Sequence, residues 1–218
     1  MKKIILYGLQ RSGTNYLETL IQKNFQVTFE NEIHSRISKK HKHFRFYSSK
    51  LNSYCPSEVN MNSYFHAEET IDFDFLNDDI DHYFFIYKEP VHWLTSFEKF
   101  LHTFPTVSKD NIEKKYPFEK RVLDYNLYIQ HIVEMHRKNT ERMRLVSYEE
   151  LIQKTEEFLN ELIDLGFERT NTNFEVNFDQ VVMSPYTFDQ KKIDYIKNKE
   201  YRNLLSEEQL TYVKENIS

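Results

Sequence analysis

An α/β fold in three layers, with a central, mostly parallel sheet flanked by helices on both faces, is what the sequence predicts, and three observations predict it. Ile4–Tyr7 and His82–Tyr87 are continuously apolar and rich in β-branched and aromatic residues. They lack the alternation of a half-exposed strand, so they read as strands covered on both faces. Each is followed by a stretch whose apolar residues recur at helical spacing, and strands that alternate with helices require crossovers and hence parallel pairing.

The elements follow in order. Ile4–Tyr7 ends at Gly8, and a helix begins near Thr14, which can cap it, with Tyr16, Leu17, Leu20 and Ile21 as one stripe before a turn at Asn24. Gln26–Phe29 reads as a second strand. From about 35 to 80 the chain is polar and broken near Pro56, a less regular insertion with some helix inside a single domain spanning 1–218. His82–Tyr87 is the clearest strand and stops at Lys88-Glu89-Pro90; Pro90 opens a helix carrying Trp93, Leu94, Phe97, Phe100 and Leu101. A long helix follows with Val122, Tyr125, Ile129, Ile132, Val133 and His136 on one face, then a short strand, Arg144–Ser147. Ser147-Tyr-Glu-Glu150 and Ser206-Glu-Glu-Gln209 have the form of capping boxes, and Gly166 suits the position just past a helix end.

Composition narrows the function classes. The 218 residues include only 3 glycines, and two of them, Gly8 and Gly13, directly follow the first strand. A net charge of −5 argues against a dedicated nucleic-acid binder while permitting a local basic pocket. Cys55, the single cysteine, can form no internal disulfide, and no apolar run reaches the length of a signal peptide core or a membrane span, so a cytoplasmic protein without an integral membrane segment is expected. Ser38–Tyr47 is the one basic stretch interleaved with aromatics. It suits a solvated loop, a lid over an anionic acceptor or, less well, a nucleic-acid contact, and His41 and His43 lack further ligands at zinc-like spacing.

Strand, Gly8-Leu-Gln-Arg-Ser-Gly13-Thr14, then helix is an arrangement in which backbone N–H groups and a helix N-terminus hold an anion. A nucleoside-triphosphate loop would carry Lys after its last glycine; here Thr14 and Asn15 follow Gly13, and the cation sits earlier, at Arg11. The loop is P-loop-like without the equipment to hold a metal on a triphosphate.

These residues resemble the sulfotransferases that use 3′-phosphoadenosine 5′-phosphosulfate (PAPS). Gln10-Arg-Ser-Gly-Thr14 is similar to that family's 5′-phosphosulfate loop. Tyr87-Lys-Glu-Pro90, with Ser96 eight residues after Lys88, is similar to its R-[ND]-P motif and following serine. Val146-Ser-Tyr-Glu-Glu-Leu151 looks like the Y-E-D-L segment, Leu165-Gly-Phe167 like the helix end after it, and Tyr201–Gln209 like the closing W-x-x-x-L-[ST]-x-E-[EQ] of carbohydrate-acting members. Residues 35–80 and 170–198 stay unaligned. The chain departs from the family at Lys88 for Arg, which loses the bidentate fork, at Glu89 for Asn or Asp, which puts a carboxylate beside the expected 3′-phosphate, and at Asn15 for Thr.

The resemblance implies transfer of a sulfuryl group from PAPS to an acceptor hydroxyl, on a carbohydrate, with 3′,5′-adenosine bisphosphate as the product and no metal. It implies Arg11 on the bridging and sulfuryl oxygens; Ser12, Gly13, Thr14 and Asn15 around the 5′-phosphate; and Lys88 and Ser96 on the 3′-phosphate. Glu30-Asn-Glu-Ile-His34 follows the second strand at the carboxyl edge of the sheet, where such folds bind ligands. Within it Glu32-Ile33-His34 resembles the E-I-H of heparan-type members, making Glu32 the first candidate for general base and His34 the second. A non-catalytic nucleotide- or anion-binding protein and a small-molecule kinase are the alternative readings.

Overall fold

A computed structural model describes residues 1–31, 40, 42, 46–48, 53–55, 79–101, 114, 117–176 and 190–217. Its strands are β1 (Lys2–Gly8), β2 (Val27–Phe29), β3 (Phe46–Ser48), β4 (Ser53–Cys55), β5 (His82–Tyr87) and β6 (Met143–Ser147). The α-helices are α1 (Thr14–Asn24), α2 (Pro90–Leu101), α3 (Phe118–Lys138), α4 (Tyr148–Gln153), α5 (Thr155–Asp164), α6 (Gln190–Lys197) and α7 (Glu207–Asn216), with a 3₁₀ turn at Glu200–Leu204. Strands β2-β1-β5-β6 form one all-parallel sheet, and β3 pairs with β4 in a separate antiparallel hairpin. This is the α/β architecture expected from the alternation of strands and helices.

Burial on both faces of the sheet explains the uninterrupted apolar runs. Ile5 and Tyr7 of β1 and Tyr83 and Phe85 of β5 meet Trp93, Leu94 and Phe97 of α2 and Val122, Tyr125 and Tyr128 of α3. Their alternates Ile4, Leu6, Phe84 and Ile86 meet Leu17, Leu20 and Ile21 of α1 and Leu151, Leu159 and Leu162 of α4 and α5. The register Ile5↔Tyr83 and Leu6↔Phe84 keeps these two sets apart.

Several local expectations are corrected. Gly13, not Thr14, is the N-cap of α1, and no side chain caps that helix. The run after β6 is two helices, broken at Lys154, where ψ is +41 and the backbone leaves the helical region. The buried face of α3 is rotated from the expected one: Tyr128 and Met135 take the inward positions, while Ile129, Val133 and His136 are half-buried. Ser147 accepts the Glu150 N–H at 3.4 Å, and the reciprocal box is complete at Ser206 and Gln209. Gly166, at φ +80, closes a Schellman motif, Gly166 N–H to Ile163 O and Phe167 N–H to Leu162 O. Of the insertion expected at about 35–80, the described residues are 40, 42, the β3–β4 hairpin, 79 and 80; the rest lies outside the described residues.

The free edge of β1 is completed in an unusual way. Pairing with β2 ends at Ile4↔Phe29, and beyond it the side-chain amide of Asn31 replaces a strand, its Oδ1 accepting Leu6 N–H and its Nδ2 donating to Leu6 O, both at 2.9 Å. Next, Gly8 N–H donates to Lys42 O, and Lys42 Nζ pairs with Glu18 of α1 at 2.8 Å, both side chains buried. Lys42 of the basic stretch is therefore an internal ion pair. Among the described residues no helix is long and apolar enough to cross a membrane.

Candidate functional site

The strand order places the site. From β1 the chain goes to β2 on one side, while β5 and β6 lie on the other, so the connections diverge at the carboxyl ends of β1 and β5, where α/β sheets open a crevice. Parallel strands bring three segments to that edge: the loop Leu9–Gly13 after β1, Lys88-Glu89 after β5 and Tyr148-Glu149 after β6.

The loop is tightly wound. Ser12 N–H donates to Leu9 O at 3.0 Å, Arg11 adopts φ +72 and Gly13 φ +105. The Gly13 carbonyl accepts Tyr16 N–H and Leu17 N–H, so the amides of Thr14 and Asn15 precede the first intrahelical bond, at the positive end of α1. Trp93 Nε1–H donates to Gln10 O at 2.9 Å and ties the loop to α2. The two glycines make room for side chains of the protein itself. A Cβ on Gly8 would meet Ser12 Oγ at 2.3 Å, and one on Gly13 would meet Tyr148 Cδ2 at 2.4 Å. Ser12 is 1% exposed, and its hydroxyl has no hydrogen-bond partner among the described residues.

Lys88 is the second part of the site. It is only 6% exposed, its Nζ lies 3.3 Å from Ser96 Oγ and 4.7 Å from the Tyr148 ring centroid, and no carboxylate pairs with it among the described residues. Burial, with Lys192 and Arg11 adding like charge, pushes its ammonium well below the usual lysine range, and Glu149 opposes them. A buried cation with no carboxylate in hydrogen-bonding reach among the described residues costs several kcal/mol, and the eight-residue spacing from Lys88 to Ser96 brings the two side chains together across the start of α2. Arg11 stacks its guanidinium over Phe100, one turn after Ser96, at 5.6 Å.

A polar network supports Lys88 from below. Tyr125 of α3 donates its hydroxyl to Lys88 O. Glu149 accepts Glu89 N–H at 3.0 Å on Oε2 and meets His92 Nδ1 at 2.5 Å on Oε1. His92 is fully buried, stacked on Tyr201 at 4.4 Å, and burial holds it down at about 4 despite Glu149, so the neutral ring donates from Nδ1. The Glu89 carboxylate, expected to crowd an anion, is instead taken by Tyr201, Arg202 and Lys199 of the C-terminal segment, hydrogen bonds and charges that lower its pKa against the effect of burial.

His82, at the far end of β5, is also lowered to about 4, by burial first and then by Lys2 and Arg144. Both rings are neutral in the fold and take up protons on unfolding, so stability is expected to fall as pH drops from about 6.5 to 4, at up to about 1.4 kcal/mol per pH unit for each ring. Urea unfolding across that window measures it, and His82→Phe, which keeps a ring against Phe167 (5.3 Å), should remove one proton from the slope. A pH-independent midpoint from 6.5 to 4 would contradict the assignment.

Of the residues expected at the site, Arg11, Ser12, Gly13, Thr14 and Asn15 share one loop and helix start, and Lys88 and Ser96 meet across the adjoining strand end. Glu32 and His34 lie outside the described residues. Reading for chemistry passed over His92 and Glu149 because neither sits in a motif of its own; they are brought together by the parallel pairing of β5 with β6. Tyr148, quoted only as part of a resemblance, is the ring on which Gly13 and Lys88 both rest. In comparisons of this chain with family models, with curated proteins and with solved structures, no match was found.

Proposed function

We propose that the crevice binds the phosphates of an adenosine 3′,5′-bisphosphate group and that the protein is a PAPS-dependent sulfotransferase acting on a hydroxyl, on a carbohydrate. The observation that carries the reading is Lys88: a buried ammonium with a serine hydroxyl at 3.3 Å and no carboxylate partner among the described residues, beside an uncapped helix N-terminus. Such a group is favoured when a ligand brings the missing negative charge. In this reading Lys88 and Ser96 take the 3′-phosphate, and the Thr14 and Asn15 amides with the Ser12 hydroxyl take the 5′-phosphate.

Transfer then forms a bond from the acceptor oxygen to sulfur while the sulfur–oxygen bond to the 5′-phosphate breaks in line. Arg11 balances charge on the departing oxygen, and the acceptor proton passes to Glu32 or His34. The roles of Glu32 and His34 rest on the likeness of Glu32-Ile33-His34 to the heparan-type segment. A carbohydrate acceptor rests on the likeness of Glu32-Ile33-His34 and Tyr201–Gln209 to carbohydrate-acting sulfotransferases.

Isothermal titration with adenosine 3′,5′-bisphosphate against Mg·ATP tests the donor site; preference for the bisphosphate is expected, and preference for Mg·ATP would favour a kinase. Arg11→Ala should lower sulfuryl transfer by about 10²–10³-fold with a far smaller change in bisphosphate affinity. Undiminished turnover would remove Arg11 from the reaction.

A further inference from the structure

Glu149 belongs to none of the groups assigned to the donor, yet both of its oxygens are held. Oε2 accepts the N–H of Glu89, the residue after Lys88, and Oε1 accepts His92 Nδ1–H from one turn inside α2. Its side chain is nearly buried, and so is His92, locked by its stack on Tyr201. The carboxylate therefore has a fixed place one peptide unit from Lys88.

Every element around Lys88 contributes a group. The phosphate loop brings Arg11, α2 brings His92 and Ser96, α3 brings Tyr125, α4 brings Tyr148 and Glu149, and α6 brings Lys192. His92 is neutral, and Arg11 and Lys192 repel the ammonium. Among the described residues Glu149 is the charge that favours it. The neighbouring carboxylate, Glu89, is engaged with Tyr201, Arg202 and Lys199.

Resting on the reading of Lys88 as the cation of the donor site, we propose that Glu149 is a positioning residue for charge: a carboxylate fixed by Glu89 N–H and His92 that holds Lys88 in its charged, anion-receiving form. It does not touch the ligand. Its removal has opposite effects at the two ends of the pH range. Where Lys88 is fully charged, loss of a nearby negative charge leaves anion affinity unchanged or raises it; where Lys88 is losing its proton, affinity drops sooner.

Titration calorimetry with adenosine 3′,5′-bisphosphate across the pH range in which the chain stays folded tests this on the wild-type chain, Glu149→Gln and Glu149→Asp, each checked for folding by its melting temperature. Glu149→Gln is expected to lose affinity at a lower pH than the wild type, with roughly tenfold weaker binding on the falling limb and no loss at the acidic end of the profile. Glu149→Asp withdraws the same charge by one methylene and should move the profile the same way by less; it supplies the test if the Gln variant does not fold. A parallel loss at every pH, or a profile identical to wild type in both variants, overturns the charge role while leaving the donor site standing. Absence of binding by the wild-type chain at every pH overturns the donor reading itself, and this inference with it.

Discussion

Lys88→Met is expected to weaken binding of adenosine 3′,5′-bisphosphate by at least about 30-fold and, in the same protein, to raise the melting temperature. The two effects have one origin. The ammonium is 6% exposed and faces Arg11 and Lys192, so in the empty protein it suffers desolvation and like-charge repulsion. Methionine keeps an unbranched chain against the Tyr148 ring and removes the charge, and with it a desolvation cost that for a buried ion is several kcal/mol. For a chain of this size each kcal/mol corresponds to roughly 2–4 °C. Against this, the loss of a buried, hydrogen-bonded cation from an anion site costs binding about 2–5 kcal/mol, or roughly 30-fold to several thousand-fold. A lysine kept for structural reasons would behave in the opposite manner: the variant would melt lower and bind as before. Calorimetric melting and titration on the same preparation separate the two.

Gly13→Ala should destabilise the protein by about 3 kcal/mol. Two penalties combine. At φ +105 an L-residue is strained by about 1–2 kcal/mol, and the new Cβ would lie 2.4 Å from Tyr148 Cδ2, an overpacking that adds about 1–3 kcal/mol. Gly166→Ala is the control: its φ is +80, but the nearest atom to an added Cβ is Lys2 Cε at 3.9 Å, so it should lose only about 1 kcal/mol. Urea denaturation compares them. Equal losses would mean that the Tyr148 ring moves aside freely, which would weaken the case for a ring fixed beneath Lys88.

The parts of this protein legible in its sequence are those governed by neighbours in the chain. His82–Tyr87 reads as a buried strand because every position is apolar or aromatic, and Ser206 and Gln209 read as a capping box because both partners lie within one turn. Lys88 and Ser96 were visible as a pair because eight residues on a strand end and a helix is still a local distance. What escaped is set by tertiary pairing. The meeting of Glu149 with His92 depends on β6 lying beside β5, the diversion of Glu89 depends on a C-terminal turn, and α6 has too short an apolar stripe to be announced by periodicity. The reason for the two glycines is tertiary as well: Gly13 yields space to a tyrosine from another element. Thr14 is displaced from the cap because Gly13, at positive φ, already turns its carbonyl to Tyr16 and Leu17.

The register Ile4↔His82 has a consequence for how such a chain can change over evolutionary time. The central pair of the sheet joins a strand that precedes the insertion to one that follows it, and the chain is pinned again to that sheet at Lys42, so the sequence beyond Lys42 and before Ile80 runs between points the fold already holds. Each doubling of such a loop costs only about 0.6 kcal/mol of closure entropy. Length can be added or removed beyond Lys42 at little thermodynamic penalty to β1 and β5, while Asn31 and Lys42 stay bound to the sheet edge. Novelty in what the protein recognises can therefore accumulate in one place while the machinery beside it stays constant.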